Sequence, residues 1–497
     1  MYEGPRLSHM LAKHIFLYPY LSKKLGKLVG FQDPNYLWYS DTHENLHGGF
    51  YNETDMKQAK ERGIIFFKNA KKFQEWIKQQ DKLHKKTKNI MHNFQIEKKI
   101  DKIKKKDILS LIPELSRIRS ELFIYVLACQ PQCTEGLSDE LKQIISSKVK
   151  DAMLAKEAFI TLTMPEKQLF FTDEEIDWLR IVIKGKEYGM KSYDPANKQF
   201  KEIHTLIKQH YDKYFIIPAS DRTEAWDINH FIGLFNHSMK SDEDFVKKKE
   251  TLTLQYKNVN ETKKELLKKY ELPEEAREIG SLVADIGHYR FLSSFYGRWI
   301  GYYLVLICRR YSKKTGFTFE ELSSCEEEEL ISIIRNQAII SKEELENRAN
   351  AETILIRNNH VYLYFGEMAK QIKQQELKGI DYANITEIKG EIANLGKATG
   401  KAFVFYWNDD INKKIHKVPK NCILVAPQTH PIYMPAIRKA KALATDEGGI
   451  TGHAAIVSRE LGKPCVIGLH HITKVVKTGD LIELDGDNGI IRIIKRA

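Results

Sequence analysis

The chain has 497 residues, 42% of them hydrophobic and 29% charged, with a formal net charge of +12. That length predicts about two to four domains rather than one core. No stretch approaches the roughly 18 apolar residues of a membrane span, and Met1 to Leu25 has no signal-peptide core. Only Cys129 and Cys133 of the six cysteines lie close in sequence, so no metal site is expected and reduced thiols in a cytoplasmic protein are. The positive charge fits a nucleic-acid or an acidic partner. It is densest from Lys82 to Lys106, where Ile90, Phe94, Ile96, Ile100, Ile103 and Ile108 recur. This pattern reads as an amphipathic helix with a solvated lysine face, which makes nucleic acid an unfavoured partner.

In chain order, residues 1–54 are irregular and aromatic-rich, and the sequence does not choose between short strands and a packed loop. Residues 55–375 read as a mainly helical domain. Helices are expected over Ser138–Leu162, Phe200–Phe215, Asp242–Tyr270 and Pro273–Lys313, with most prolines at element breaks. Thr172–Glu175, Ser324–Glu327 and Ser341–Glu344 each have capping-box spacing. Near Glu352 the period changes. Thr353–Arg357 and His360–Phe365 read as a hairpin across Asn358-Asn359, followed by a helix from Glu367 to Gln375. A linker is placed at 376–390 and a compact α/β domain at 391–497. Gly390–Gly400 reads as loop. Strands are expected at Lys401–Tyr406, Ile423–Ala426, Ala442–Thr445 and Cys465–Ile467, with a helix from Thr429 to Lys441 and a terminal hairpin over Leu481–Ile494.

Between two of those strands lies Thr445-Asp-Glu-Gly-Gly-Ile-Thr-Gly-His453-Ala-Ala-Ile-Val-Ser-Arg459-Glu-Leu-Gly-Lys-Pro464. Gly448 and Gly449 mark a tight turn, and a helix runs from His453 until Gly462 and Pro464 stop it. His453 then sits among first-turn N–H groups, at the positive end of the helix dipole, where anions bind. A histidine there can take a phosphoryl group on a ring nitrogen. It can equally be an ordinary histidine beside a strand-to-helix turn.

The whole run resembles the phosphohistidine motif of the PEP-utilising mobile, or swivelling, domain. That domain is found in phosphoenolpyruvate synthase, pyruvate phosphate dikinase, rifampicin phosphotransferase and phenylphosphate synthase. The chain departs from the pattern at Gly452, where the family carries serine or cysteine. The resemblance implies a multidomain α plus α/β protein, a large helical N-terminal domain followed by a swivelling β/β/α phosphohistidine domain. It implies His453 as the phosphorylated catalytic residue, with Gly448, Gly449, Thr451, Gly452, Ala454 and Arg459 around the phosphate. Arg459 has a second reading, a local salt bridge to Asp446 or Glu447. Thr445 and Thr451 are placed to bond either the loop or a phosphate.

Relatives that use ATP carry an ATP-grasp domain, and those that use phosphoenolpyruvate carry a barrel after the mobile domain. Neither is expected in a helical chain that ends at Ala497. ATP and magnesium are therefore expected on a partner ATP-grasp subunit, with no cofactor held stably here and a small-molecule acceptor on the helical domain. A catalytically inactive regulatory or binding protein that keeps the swivelling fold is the alternative function, with a nucleic-acid-binding protein less favoured. Asp485-Gly-Asp-Asn-Gly489 lacks the ligand positions of a calcium loop and reads as a hairpin turn. His204, His210, His230 and His237 read as packing residues rather than metal ligands. Tyr289, Arg290, Arg298 and Trp226 carry no motif that ties them to a substrate.

Overall fold

The computed structural model describes residues 36–41, 46–51 and 53–497, apart from short segments at 95–98, 130, 169, 195–199, 220–224, 358–359, 377–381, 383, 407–408, 410, 430–432 and 448–452. The described residues are mostly helical, with a mixed sheet at the C-terminal end. The chain divides into two compact units, residues 134–302 and residues 1–133 with 303–497.

In the 134–302 unit the expected helices form, but two of them are broken. Ser138–Leu162 divides at Asp151, whose carboxylate accepts from Met153 and Leu154 N–H and starts helix Ala152–Leu162. Asp242–Tyr270 divides at Asn258 into Phe245–Lys257 and Val259–Tyr270. The Asp151 side chain competes for backbone hydrogen bonds at the first break, whereas Asn258 makes no side-chain cap bond at the second. Thr172 lies inside helix Phe170–Glu187 rather than before it. In the long helix Glu274–Thr315, Ile279, Ile286 and Ser293 are buried while Val283 and Arg290 are partly exposed. The histidines pack: His210 bonds Glu174 at 3.0 Å, and His230 stacks on Trp226 at 4.5 Å.

In the other unit the lysine-rich run is not one helix. Helix Ala70–Phe94 buries Phe73, Trp76, Gln80, His84, Thr87 and Ile90 along one face. A new helix starts at Lys105 after a turn over Ile100–Lys102. Arg310 Nη1 donates to the carbonyls of Ile100 and Ile103, and so fixes that turn from far along the chain. Pro113 lies inside helix Lys105–Ala128 rather than at a break. An interior proline costs about 3 kcal/mol, which burial of Leu111, Ile112 and Leu115 offsets.

The Ser324–Glu327 signal is displaced. Thr318 and Glu321 form the true capping box of helix Phe319–Ser323, while Glu326 and Glu329 cap helix Glu327–Arg335. Ser341 caps helix Lys342–Asn350 as expected. In the undecided N-terminal segment, strands β1 (Tyr36–Asp41) and β2 (Leu46–Tyr51) form, and residues 1–35 lie outside the described residues. These strands join β3 (Ala351–Arg357) and β4 (His360–Phe365) in one antiparallel sheet of order β2-β1-β3-β4.

The C-terminal sheet contains β5 (Glu387–Lys389), β6 (Glu391–Asn394), β7 (Lys397–Val404), β8 (Ile423–Ala426), β9 (Ala442–Thr445), β10 (Cys465–Ile467), β11 (Leu481–Asp485) and β12 (Ile490–Lys495). The strand order is β5-β12-β11-β7-β8-β9-β10-β6, parallel from β7 to β10 and antiparallel elsewhere. Two departures from the sequence reading follow. The linker region includes β5, and the expected loop at Gly390–Gly400 holds β6 and the start of β7.

The two edge strands β5 and β6 are joined by Gly390 alone. A Cβ on Gly390 would lie 2.5 Å from the Ile467 carbonyl oxygen, which only glycine avoids. The run Ile423-Leu-Val-Ala426 is apolar throughout because both faces are covered. Leu424 and Ala426 pack under the helices with Ile437, Ala454 and Val457, while Ile423 and Val425 pack with Ile472, Val475 and Ile482.

Candidate functional site

The three parallel strands β8, β9 and β10 end together, and the backbone stays bonded beyond them. Asp446 N–H donates to Ala426 O at 3.1 Å and Glu447 N–H to Pro427 O at 2.8 Å. On the other side Leu469 N–H donates to Thr445 O at 3.1 Å and His470 N–H to Asp446 O at 2.8 Å. His470 has φ of 60°, a left-handed conformation rare outside glycine. Ligand sites in α/β sheets form at such carboxyl ends.

His453 opens helix His453–Glu460, which lies on this sheet. Ala454 and Ala455 are buried beneath it, and their small side chains let the helix approach closely. Gly462, with φ of 60°, ends it: Gly462 N–H donates to Arg459 O and Lys463 N–H to Ser458 O. Asn394 Nδ2 adds donors to Ser458 O and Lys463 O at 3.2 and 2.9 Å. The half-buried His453 ring meets Thr429, which follows β8, with Thr429 Oγ1 2.9 Å from Nδ1. That bond fixes the ring plane and leaves Nε2 as the nitrogen not committed to Thr429. When Nδ1 carries the proton and donates to Oγ1, Nε2 holds a lone pair and is nucleophilic.

Of the other candidate residues, Gly448, Gly449, Thr451 and Gly452 lie outside the described residues. Ala454 is buried. Arg459 Nε donates to Ala393 O in β6 at 3.1 Å, and burial holds its guanidinium down to about 10. Asp446, one of its two expected salt-bridge partners, is itself buried. Its carboxylate accepts from Thr473 N–H at 3.0 Å and from the Thr473 hydroxyl. Thr445 is buried at the end of β9, and its Oγ1 has no hydrogen-bond partner among the described residues.

Sequence reasoning gave Thr429 only a helix-opening role, and the helix there begins later, at Met434. No local signal pairs it with a histidine 24 residues away. The Asp485 turn is as expected, the carboxylate accepting from Asp487 and Asn488 N–H and from Asn488 Nδ2. Among the described residues no group of three or more His, Cys, Asp or Glu could hold a metal ion, and no helix is long and apolar enough to cross a membrane.

Residues 418–489 match the family model described as PEP-utilising enzyme, mobile domain. A probable phosphoenolpyruvate synthase of Archaeoglobus fulgidus is 47% identical over 104 residues, 21% of this chain and 13% of that protein. The phosphoenolpyruvate synthase of Pyrococcus furiosus is 39% identical over 124 residues, 25% of this chain and 15% of that protein. The chain thus spans only about a seventh of the length of these curated relatives. Among solved structures, Thermococcus kodakaraensis aconitase X matches 22% of this chain at 19% identity and a TM-score of 0.18, too slight a likeness to argue from. It is the part of the chain bearing His453 that resembles the mobile domain of PEP-utilising enzymes.

Proposed function

We propose that this chain is a phosphotransferase subunit in which His453 carries the phosphoryl group. The observation that carries this reading is the Thr429 Oγ1–His453 Nδ1 bond at the first turn of the His453 helix, inside a stretch resembling the mobile domain. The Nε2 lone pair attacks phosphorus, an N–P bond forms, and the P–O bond to the leaving group breaks with its electron pair going to that oxygen. The ring gains positive charge as this happens, and the Nδ1–H bond to Thr429 strengthens with it. First-turn N–H groups hold the phosphoryl oxygens.

The donor is the β-phosphate of ATP, bound with magnesium on a separate ATP-grasp subunit. The acceptor is a small molecule held by the helical domain, and the mobile domain carries phosphate between them.

The test is to incubate the full chain with labelled ATP, magnesium and an ATP-grasp protein, and in parallel with phosphoramidate. Acid-labile, alkali-stable label on His453, absent from His453→Ala, is expected. Stoichiometric labelling of the His453→Ala protein refutes the proposal. If both donors leave the wild-type chain unlabelled, the inactive regulatory reading replaces it, with Gly452 as its sequence basis.

A further inference from the structure

We infer that Asp446 is a positioning residue for His453, acting through its tie to Thr473. The inference rests on His453 being the phosphoryl carrier, and it concerns what sets the histidine in place. Asp446 is 4% exposed. A carboxylate is rarely buried so deeply without partners that repay its desolvation. Both oxygens are engaged by one residue, Oδ1 by the Thr473 N–H at 3.0 Å and Oδ2 by the Thr473 hydroxyl.

The rest of Asp446 is fastened too. Its N–H bonds Ala426 O, three residues before Thr429, and its carbonyl accepts from His470 N–H. One residue therefore ties together three strand ends: the segment that carries Thr429, the start of the stretch that delivers His453, and the turn after β10. His470 holds its left-handed conformation at the bond to Asp446, and such strain persists where surrounding contacts over-determine the backbone. Thr473 sits in helix Ile472–Val475, which packs on β8 and β9 through Ile472 and Val475. The tie thus anchors the start of the histidine stretch to the apolar core on the face opposite the His453 helix. The Thr429–His453 distance depends on that anchor, because the two residues reach each other from strand ends that Asp446 joins.

The test uses the full chain and phosphoramidate, with peptide mass spectrometry for rate and phosphorus NMR for the ring nitrogen modified. Loss of a fraction of an ångström in placement is expected to slow His453 labelling in Asp446→Ala by about tenfold. Label should also spread onto Nδ1, while the other histidines react as before. Thr473→Val removes only the hydroxyl; it is expected to move in the same direction by a smaller factor, and Thr473→Ser to restore wild-type behaviour. Thr473→Val decides the matter should Asp446→Ala not fold. Wild-type rate and Nε2 selectivity in folded Asp446→Ala, or in Thr473→Val, overturn the inference. A wild-type chain unlabelled at His453 would instead defeat the carrier reading itself.

Discussion

Replacing Thr429 by valine removes the hydroxyl 2.9 Å from His453 Nδ1 and keeps the side-chain volume. Thr429 is 5% exposed, so water has little room to take the hydroxyl's place. A neutral hydrogen bond contributes about 1 kcal/mol net, and one to a charged group about 1.5–3 kcal/mol. The ring is neutral before attack and positive during it, so the bond is worth more in the transition state by about 1 kcal/mol or more. At about 1.4 kcal/mol per factor of ten, Thr429→Val should label at least about fivefold more slowly. The valine also frees Nδ1, so the Nε2-to-Nδ1 product ratio should fall by a similar factor. Phosphoramidate labelling read by phosphorus NMR at alkaline pH measures both quantities on one sample. Thr429→Ser keeps the hydroxyl and should behave as wild type. Unchanged rate and site selectivity in Thr429→Val would mean that the bond neither orients the ring nor fixes its proton, and the chemistry assigned to it would be wrong.

Asn394→Ala removes two donors from the C-terminal end of the His453 helix, at Ser458 O and Lys463 O. The loss of about 1–2 kcal/mol should speed amide exchange over 458–463 roughly five- to thirtyfold; unaltered exchange there would show that Gly462 alone ends the helix. Asp485 supplies a pH test. Burial opposes its charge, but Asn488 and Lys397 outweigh burial and hold the carboxyl at about 2. Because the folded value lies below the ordinary value of about 3.9, the stabilisation is full above about pH 4 and is lost as pH falls from there towards 2. Asp485→Asn should lower stability at neutral pH and flatten that acid limb in thermal melts. An acid limb as steep as wild type's would place the sensitivity elsewhere.

Much of the C-terminal sheet was legible because its strands are short apolar runs bounded by turn residues. Ile423–Ala426, Ala442–Thr445 and Cys465–Ile467 fall where the pattern put them. The start of the His453 helix and its glycine stop were legible for the same reason, since capping and glycine chemistry act within a few residues. β6 and the first part of β7 were not, because Glu391–Asn394 has only Ile392 and Ala393 as apolar residues, Lys397–Gly400 is partly polar and ends in glycine, and both pair with partners far along the chain. The Lys82–Lys106 run failed likewise, its apolar spacing continuing across a turn that Arg310 fixes.

By itself, then, the sequence determined the histidine, its helix and the family it resembles, because periodicity, turn chemistry and a motif are local properties. Only the tertiary structure decided which nitrogen of His453 meets Thr429, that Arg459 Nε bonds β6, and that Asp446 binds Thr473. Each of those depends on strand ends that β-pairing brings side by side, and hydrogen bonds between residues 24 to 66 positions apart leave no periodic trace in the chain.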